Sequence, residues 1–173
     1  MIAVAVVVSG FVLLGVSAAR HGHWREVFVG QLGAQDLWRK GSESAVAWAI
    51  MAVEAAIGAG GVLALSFGVS ATALTPLLAA LVASGVAFVT LQLFLLVRRP
   101  DAPCGCDPTR DAKVGVGTLL KAAWPGIAGV VGLVALPTQA LDDLSLAVAC
   151  IAVFLGLGLA WLIDRLPAWF DRA

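Results

Sequence analysis

Apolar positions along this chain run in long unbroken blocks, without the regular polar face of a soluble helix. Five stretches, Ile2 to Ala19, Ala45 to Phe67, Thr72 to Val97, Val116 to Leu136 and Leu144 to Ile163, approach the length of about 20 residues that carries a helix across roughly 30 Å of hydrocarbon. Nothing alternates with period two over successive segments, which excludes a membrane β-barrel. The pattern predicts an all-α fold: a polytopic membrane helical bundle of about five transmembrane helices, forming a single integral membrane domain over residues 1–173.

Composition strengthens this reading. With 61% hydrophobic and 13% charged residues and a mean hydropathy of +0.98, the chain is too apolar for a soluble domain of 173 residues to hide in one core. The 11 Lys and Arg balance the 11 Asp and Glu, so no basic excess draws in nucleic acid, which is excluded as a partner. The first stretch ends in Val16-Ser17-Ala18, a small-residue pattern like a signal cleavage site. No Lys or Arg precedes it, so it is expected to stay as a helix.

Charge sets the expected orientation. Five spans place residues 20–44, residues 98–114 and the tail from Asp164 at one end of the bundle. There lie Arg20, Arg25, Arg39, Lys40, Arg98, Arg99, Arg110, Lys113, Arg165 and Arg172, with Lys121 just inside the fourth span and no basic residue in the opposite connections. By the positive-inside rule the basic end is cytoplasmic, the N-terminus outside and the C-terminus inside a cell membrane. All six Trp fall at or near the same end, where amphipathic rings anchor. In the first basic connection Trp24, Val27, Phe28 and Leu32 recur at helical spacing, as in a short helix lying in the membrane surface or an ordered connector. Glycines at 58, 60 and 61, at 126, 129 and 132, and at 156 and 158 predict close helix packing, and Pro125 a kink.

Few residues could carry chemistry. Cys104 and Cys106 sit in Pro-Cys-Gly-Cys-Asp-Pro directly after the third span, where Pro and Gly force a turn. A C-x-C pair can close a strained, labile disulfide, suited to electron exchange, but metal ligation and plain thiols remain open. Arg98, Arg99 and Arg110 favour thiolate, Asp101, Asp107 and Asp111 oppose it, and Cys104, nearer the arginines in sequence, is expected to attack. The metal form would be a zinc tetrahedron of His21, His23, Cys104 and Cys106, the minority reading beside solvated histidines. Cys150, toward the other end of the fifth span, is expected to pack as a small hydrophobe.

Glu54 is the carboxylate placed deep within a span. Burying it ionised costs several kcal/mol, so it is expected neutral, in a supporting polar layer with Ser9 and Thr90, with Gln92 and Lys121 closer to the basic end. It could serve as a proton acceptor for thiol chemistry, contact a quinone, or bond helix to helix.

A Glu-containing second span, Ala-Val-Glu54-Ala-Ala-Ile-Gly-Ala-Gly, followed by a C-x-C after the third, resembles the MauE branch of the MauE/DoxX redox-associated membrane proteins over about residues 2–136. The resemblance rests on Glu54, Cys104, Gly105 and Cys106. It implies a DoxX-like four-helix core, here followed by an extra helix at about 144–163, and thiol/disulfide handling with a thioredoxin-like protein during maturation of an enzyme of methylamine utilisation or a related pathway. Asp107-Pro108 replaces the family's usual Phe-Gly after the second Cys. The rival expectation is a non-catalytic membrane subunit or assembly factor that anchors the subunits of a larger complex.

Overall fold

The computed structural model describes residues 2–105, 113–136 and 146–170. Six helices follow in order: α1 (Ile2–His23), α2 (Arg25–Gln35), α3 (Glu43–Ser66), α4 (Ala71–Arg98), α5 (Val116–Ala135) and α6 (Leu146–Phe170). Among the described residues there is no strand, only an isolated antiparallel bridge between Pro103 and Lys113. Helices α1, α3, α4 and α5 are long and apolar enough to cross a membrane, and the fold is the all-α polytopic bundle the sequence predicts. The fifth expected span coincides with α6, 25 residues long.

Helix directions follow from the contacts. Along α3, Gly61 meets Phe11, Gly58 meets Gly15, and Glu54 meets Ser17 and His21, so α1 and α3 run antiparallel. Gly85 meets Gly126 and Leu78 meets Gly132, so α4 and α5 also run antiparallel. Gly156 lies against Ala5 and Val8 while Asp164 reaches Arg20, which sets α6 parallel to α1. Such an alternation needs only short connections at the end opposite the basic residues.

Helices α3 and α4 each turn one stripe inward, whereas α1 is buried at every position from Val7 to Phe11 and so is packed on most sides. On α3 the buried positions are Ala47, Met51, Glu54, Ile57, Gly58 and Gly61; on α4 they are Leu74, Leu78, Leu81, Gly85, Gln92 and Leu95. Steps of three and four residues keep each set on one face. The outward faces stay apolar, as with Phe67, Val86, Val97 and Phe154, because their solvent is lipid. Without a hydrophobic drive between helices, close backbone approach replaces large side chains. A Cβ on Gly58 would come within 2.5 Å of the Gly15 nitrogen and 2.9 Å of the Phe11 carbonyl oxygen. Gly58→Ala is therefore expected to separate α1 from α3 and cost about 1–3 kcal/mol, read as earlier thermal unfolding in detergent.

The short helix expected in the first basic connection is present as α2. Phe28 and Leu32 bury against Ala47 and Met51 of α3, whereas Trp24 and Val27 are exposed. Asp36 ends α2 in the left-handed conformation, and its carboxylate pairs with Arg99 just past α4. α2 thus caps one end of the bundle. Helix α5 runs on through Pro125.

Candidate functional site

The first span continues one turn beyond its expected end at Ala19, to His23. That turn places His21 on the stripe of Gly10, Leu14 and Ser17, inside the bundle, where it is 3% exposed. Its Nδ1 lies 2.9 Å from Glu54 Oε2 and its Nε2 lies 3.0 Å from the Gly105 carbonyl oxygen. Ser17 donates to Glu54 Oε1 at 3.0 Å, and Phe28 of α2 stacks flat on the imidazole at 3.9 Å.

These contacts constrain the protons. A carbonyl oxygen can only accept, so His21 Nε2 carries the hydrogen and donates to Gly105. The line from Nδ1 to Glu54 Oε2 then needs one further proton. Either a protonated Glu54 donates to a neutral imidazole, or an imidazolium donates to a carboxylate. In both forms the pair is neutral as a whole, which satisfies the cost of burial that made a lone ionised Glu54 improbable. The single proton between the two groups can move.

Cys104 follows the bridge residue Pro103. It is disulfide-bonded and 5% exposed, packed with Leu95, Ala102 and Val114. Gln92 of α4 donates to its Sγ at 3.4 Å. Gln35 of α2 donates to the carbonyls of Pro103 and Cys104, at 3.2 and 3.4 Å. Gly105 has φ +71°, a backbone conformation that favours glycine, and a Cβ there would press on Gln35 Nε2 at 3.1 Å. Lys113 closes the segment from outside by pairing with Asp101, and its hydrogen bond and charge hold the Asp101 carboxyl below its ordinary value.

His21, Glu54, Gln35, Gln92, Cys104 and Lys121 line one cavity of about 70 Å³, whose remaining walls are largely apolar, among them Leu13, Ile50, Phe88 and Pro125. Lys121 is 7% exposed and donates to Asp164 of α6 at 2.8 Å; Asp164 also pairs with Arg20. This cluster of opposite charges ties α1, α5 and α6 together beside the cavity.

Several expected placements change. Ser9 donates to the Val6 carbonyl and accepts from Trp124 Nε1, and Thr90 is exposed on an outer groove between α4 and α5. Neither joins Glu54, because Thr90 lies off the inward stripe of α4 and the α1 residues at the depth of Glu54 are Ser17 and His21. Of the four residues of the zinc reading, His21 has both ring nitrogens engaged, and His23 is exposed with its ring edge-on to Trp24. Among the described residues no three His, Cys, Asp or Glu gather to hold a metal ion. Arg99 reaches Asp36 and Arg98 lies over Phe94, while the Gln92 amide donates to the Cys104 sulfur. Cys106, Asp107, Arg110 and Asp111 lie outside the described residues, as does the Cys150 side chain. The sequence offers His21 only as a zinc ligand and gives Gln35 no role, because the first basic connection is expected to leave the bundle at Arg20; Ser17, inside the expected span, stands out only as part of a cleavage-like pattern.

In a comparison against protein families, the family described as Methylamine utilisation protein MauE matches residues 1–134. The chain belongs to the MauE family. It is a MauE-type multi-pass membrane protein, and the matched region contains α1 to α4, the cysteine turn and nearly all of α5. Helix α6 and the Asp164 contacts lie beyond it. No curated protein and no solved structure matches the chain.

Proposed function

We propose that this MauE family member is a membrane thiol/disulfide exchange protein that passes oxidising equivalents between a thioredoxin-like partner and the membrane during maturation of a client enzyme of methylamine utilisation or a related pathway. The observation that carries this reading is the disulfide-bonded Cys104 in one cavity with the one-proton His21–Glu54 pair. Its bonding partner in the proposal is Cys106. Cys150 sits on α6 before Gly156, which already packs against Ala5 and Val8 near the start of α1, while Cys104 adjoins Gly105 at the His21 end.

The burial of Cys104 supports different roles for the two sulfurs. A protein partner cannot reach the sulfur of a residue that is 5% exposed, so in this proposal Cys106, and not Cys104 as its distance from the arginines suggests, meets the partner. A partner thiolate attacks Cys106 Sγ, the Cys104–Cys106 bond breaks, and Cys104 leaves as a thiolate beside the Gln92 amide. The His21–Glu54 proton can neutralise it through the shared cavity. The partner's second thiolate then displaces Cys106, so that the partner leaves oxidised and this protein holds two thiols.

The test is trapping. Cys104→Ser is expected to accumulate a mixed disulfide between Cys106 and the partner, and Cys106→Ser to accumulate little, read by non-reducing electrophoresis. Equal absence of adducts from both variants, with the partner present, would argue for an anchoring subunit instead.

In the proposed orientation the basic end faces the cytoplasm, on the charge asymmetry. A disulfide there is cycling rather than structural, in keeping with exchange. In a protein whose cysteines are replaced by Ser, Lys40→Cys is expected to resist a membrane-impermeant maleimide in intact cells and to react after permeabilisation. Labelling in intact cells would place the site outside.

A further inference from the structure

We propose that the cavity beside Cys104 holds ordered water, anchored on Gln35 Oε1, and that this water carries the His21–Glu54 proton to the Cys104 sulfur. The inference rests on the exchange function above and names the path that its proton takes.

The imidazole ring cannot be that path. Its Nε2 hydrogen is given to the Gly105 carbonyl oxygen, which accepts but has no proton of its own to pass on. The mobile proton lies on the other side of the ring, between Nδ1 and Glu54 Oε2. Among the described residues the Glu54 carboxyl bonds to Ser17 and His21, and not to the sulfur. What Glu54 and Cys104 share is the cavity.

Its size and its polar groups fit water. The volume of about 70 Å³ is several times the 10–15 Å³ that admits one water, and about twice the share of roughly 30 Å³ that each has in the liquid, so roughly two waters fit. A buried water needs polar partners, and Gln35 supplies the first. The residue is 1% exposed, and its Nε2 donates to the carbonyls of Pro103 and Cys104. Because those carbonyls only accept, the amide cannot be turned round. Its Oε1 is left buried with no hydrogen-bond partner among the described residues, so it calls for a donor small enough to enter the cavity. The Ser17 hydroxyl and the Glu54 carboxyl, in the same wall, keep lone pairs for the remaining hydrogens. Gln35 is thus a positioning residue: it grips the cysteine turn through Nε2 and fixes the water through Oε1.

When the disulfide opens, Cys104 leaves as a thiolate, a stronger base than a carboxylate. Water gives a hydrogen to Sγ and takes one from Glu54. An S–H bond forms, the Glu54 O–H bond breaks, and the negative charge moves from sulfur to a carboxylate that Ser17 still hydrogen-bonds. No electron changes hands in this step. Nδ1 and Oε2 are left with lone pairs facing each other, which favours the proton's return by the same route when the disulfide re-forms.

The experiment uses the full chain in lipid nanodiscs in heavy-oxygen water. A brief X-ray pulse makes hydroxyl radicals from water where it stands, and mass spectrometry finds the side chains they modify. Phe28 and Leu32, buried in the cavity wall, are expected to take up the label, whereas Leu78 and Leu81, equally buried elsewhere in the core, are not. Ala122→Leu, which fills the cavity, is expected to abolish the label at Phe28 and Leu32, with Ala122→Val as a second filling variant should the first not fold. The filling is also expected to slow opening of the Cys104 disulfide by dithiothreitol, read by maleimide mass shift, by about tenfold or more. Combined with Glu54→Gln it is expected to be no slower than Glu54→Gln alone, because both interrupt one path. Label at Phe28 and Leu32 no greater than at Leu78 and Leu81 overturns the water site. An opening rate untouched by the filling, or slowed equally with and without Glu54, overturns the relay. In each of these cases a disulfide that opens with dithiothreitol leaves thiol exchange standing. A disulfide that dithiothreitol cannot open overturns the exchange function and the relay with it.

Discussion

Cys104→Ser combined with Cys106→Ser is expected to abolish thiol/disulfide exchange while leaving the protein folded in the membrane. The turn does not depend on the disulfide for its shape. His21 and Gln35 hold the carbonyls of Gly105, Pro103 and Cys104, and the Pro103–Lys113 bridge and the Lys113–Asp101 pair close the base. The proposed Cys104–Cys106 disulfide would close a very small ring, and loop-closure stabilisation grows with ring size, so little stability is lost with it. Serine leaves an oxygen near the Cys104 sulfur position for the Gln92 amide to meet. What disappears is the only chemistry that can store two electrons at this site. Client maturation should fall to the level of the whole deletion, with the variant still present in membranes at normal abundance. Full maturation with the double variant, set against failure of the deletion, would defeat the exchange mechanism and favour the anchoring role.

Glu54→Leu is expected to destabilise the bundle, and Glu54→Gln to leave it folded but slow. With leucine, His21 keeps its Nε2 hydrogen on Gly105, so its Nδ1 lone pair stays buried with nothing to accept from, and Ser17 loses its acceptor. Each unsatisfied buried group costs about 1–3 kcal/mol. Glutamine can donate an amide hydrogen to Nδ1 and accept from Ser17, so the geometry survives. It has no proton to give, and if Glu54 and His21 move the thiol proton, exchange should slow by about 10²-fold or more. Thermal unfolding and exchange rate measured on the same preparations separate the two effects. A glutamine variant of full speed would make the pair a helix-to-helix contact and nothing more.

Part of this site can be read from residue spacing alone. Glu54 falls on the 47-51-54-58-61 series, and Gln92 on the 74-78-81-85-92-95 series, the inward stripes of α3 and α4. Thr90 is on neither, a fact visible in the sequence once the stripe of its helix is drawn. His21 was harder to place, since Arg20, His21 and His23 look like the start of a polar connection. The signal is the spacing from Gly10 through Leu14 and half-buried Ser17 to His21, which carries one side of α1 a turn past the last apolar residue. The burial of Cys104 within its turn has no sequence signature. It depends on what packs over the turn, here the α4 end and α2.

The sequence alone determined that the chain is a helical membrane bundle, where its spans lie and which end carries the charge, because hydrocarbon demands uninterrupted apolar helices and repels every unpaired polar group. It also singled out Glu54 and the cysteine turn, since a carboxyl in a span and a C-x-C in a Pro/Gly turn are costly or reactive wherever they occur. Only the tertiary structure decided that Glu54 shares a proton with His21, that Gln35 of α2 grips the cysteine turn, and that Cys104 looks inward onto a cavity. Those contacts join residues 33 to 84 positions apart, and their partners are set by the rotation of each helix about its axis and by glycine-permitted approach of one backbone to another, which a single chain's pattern of apolar residues leaves unspecified.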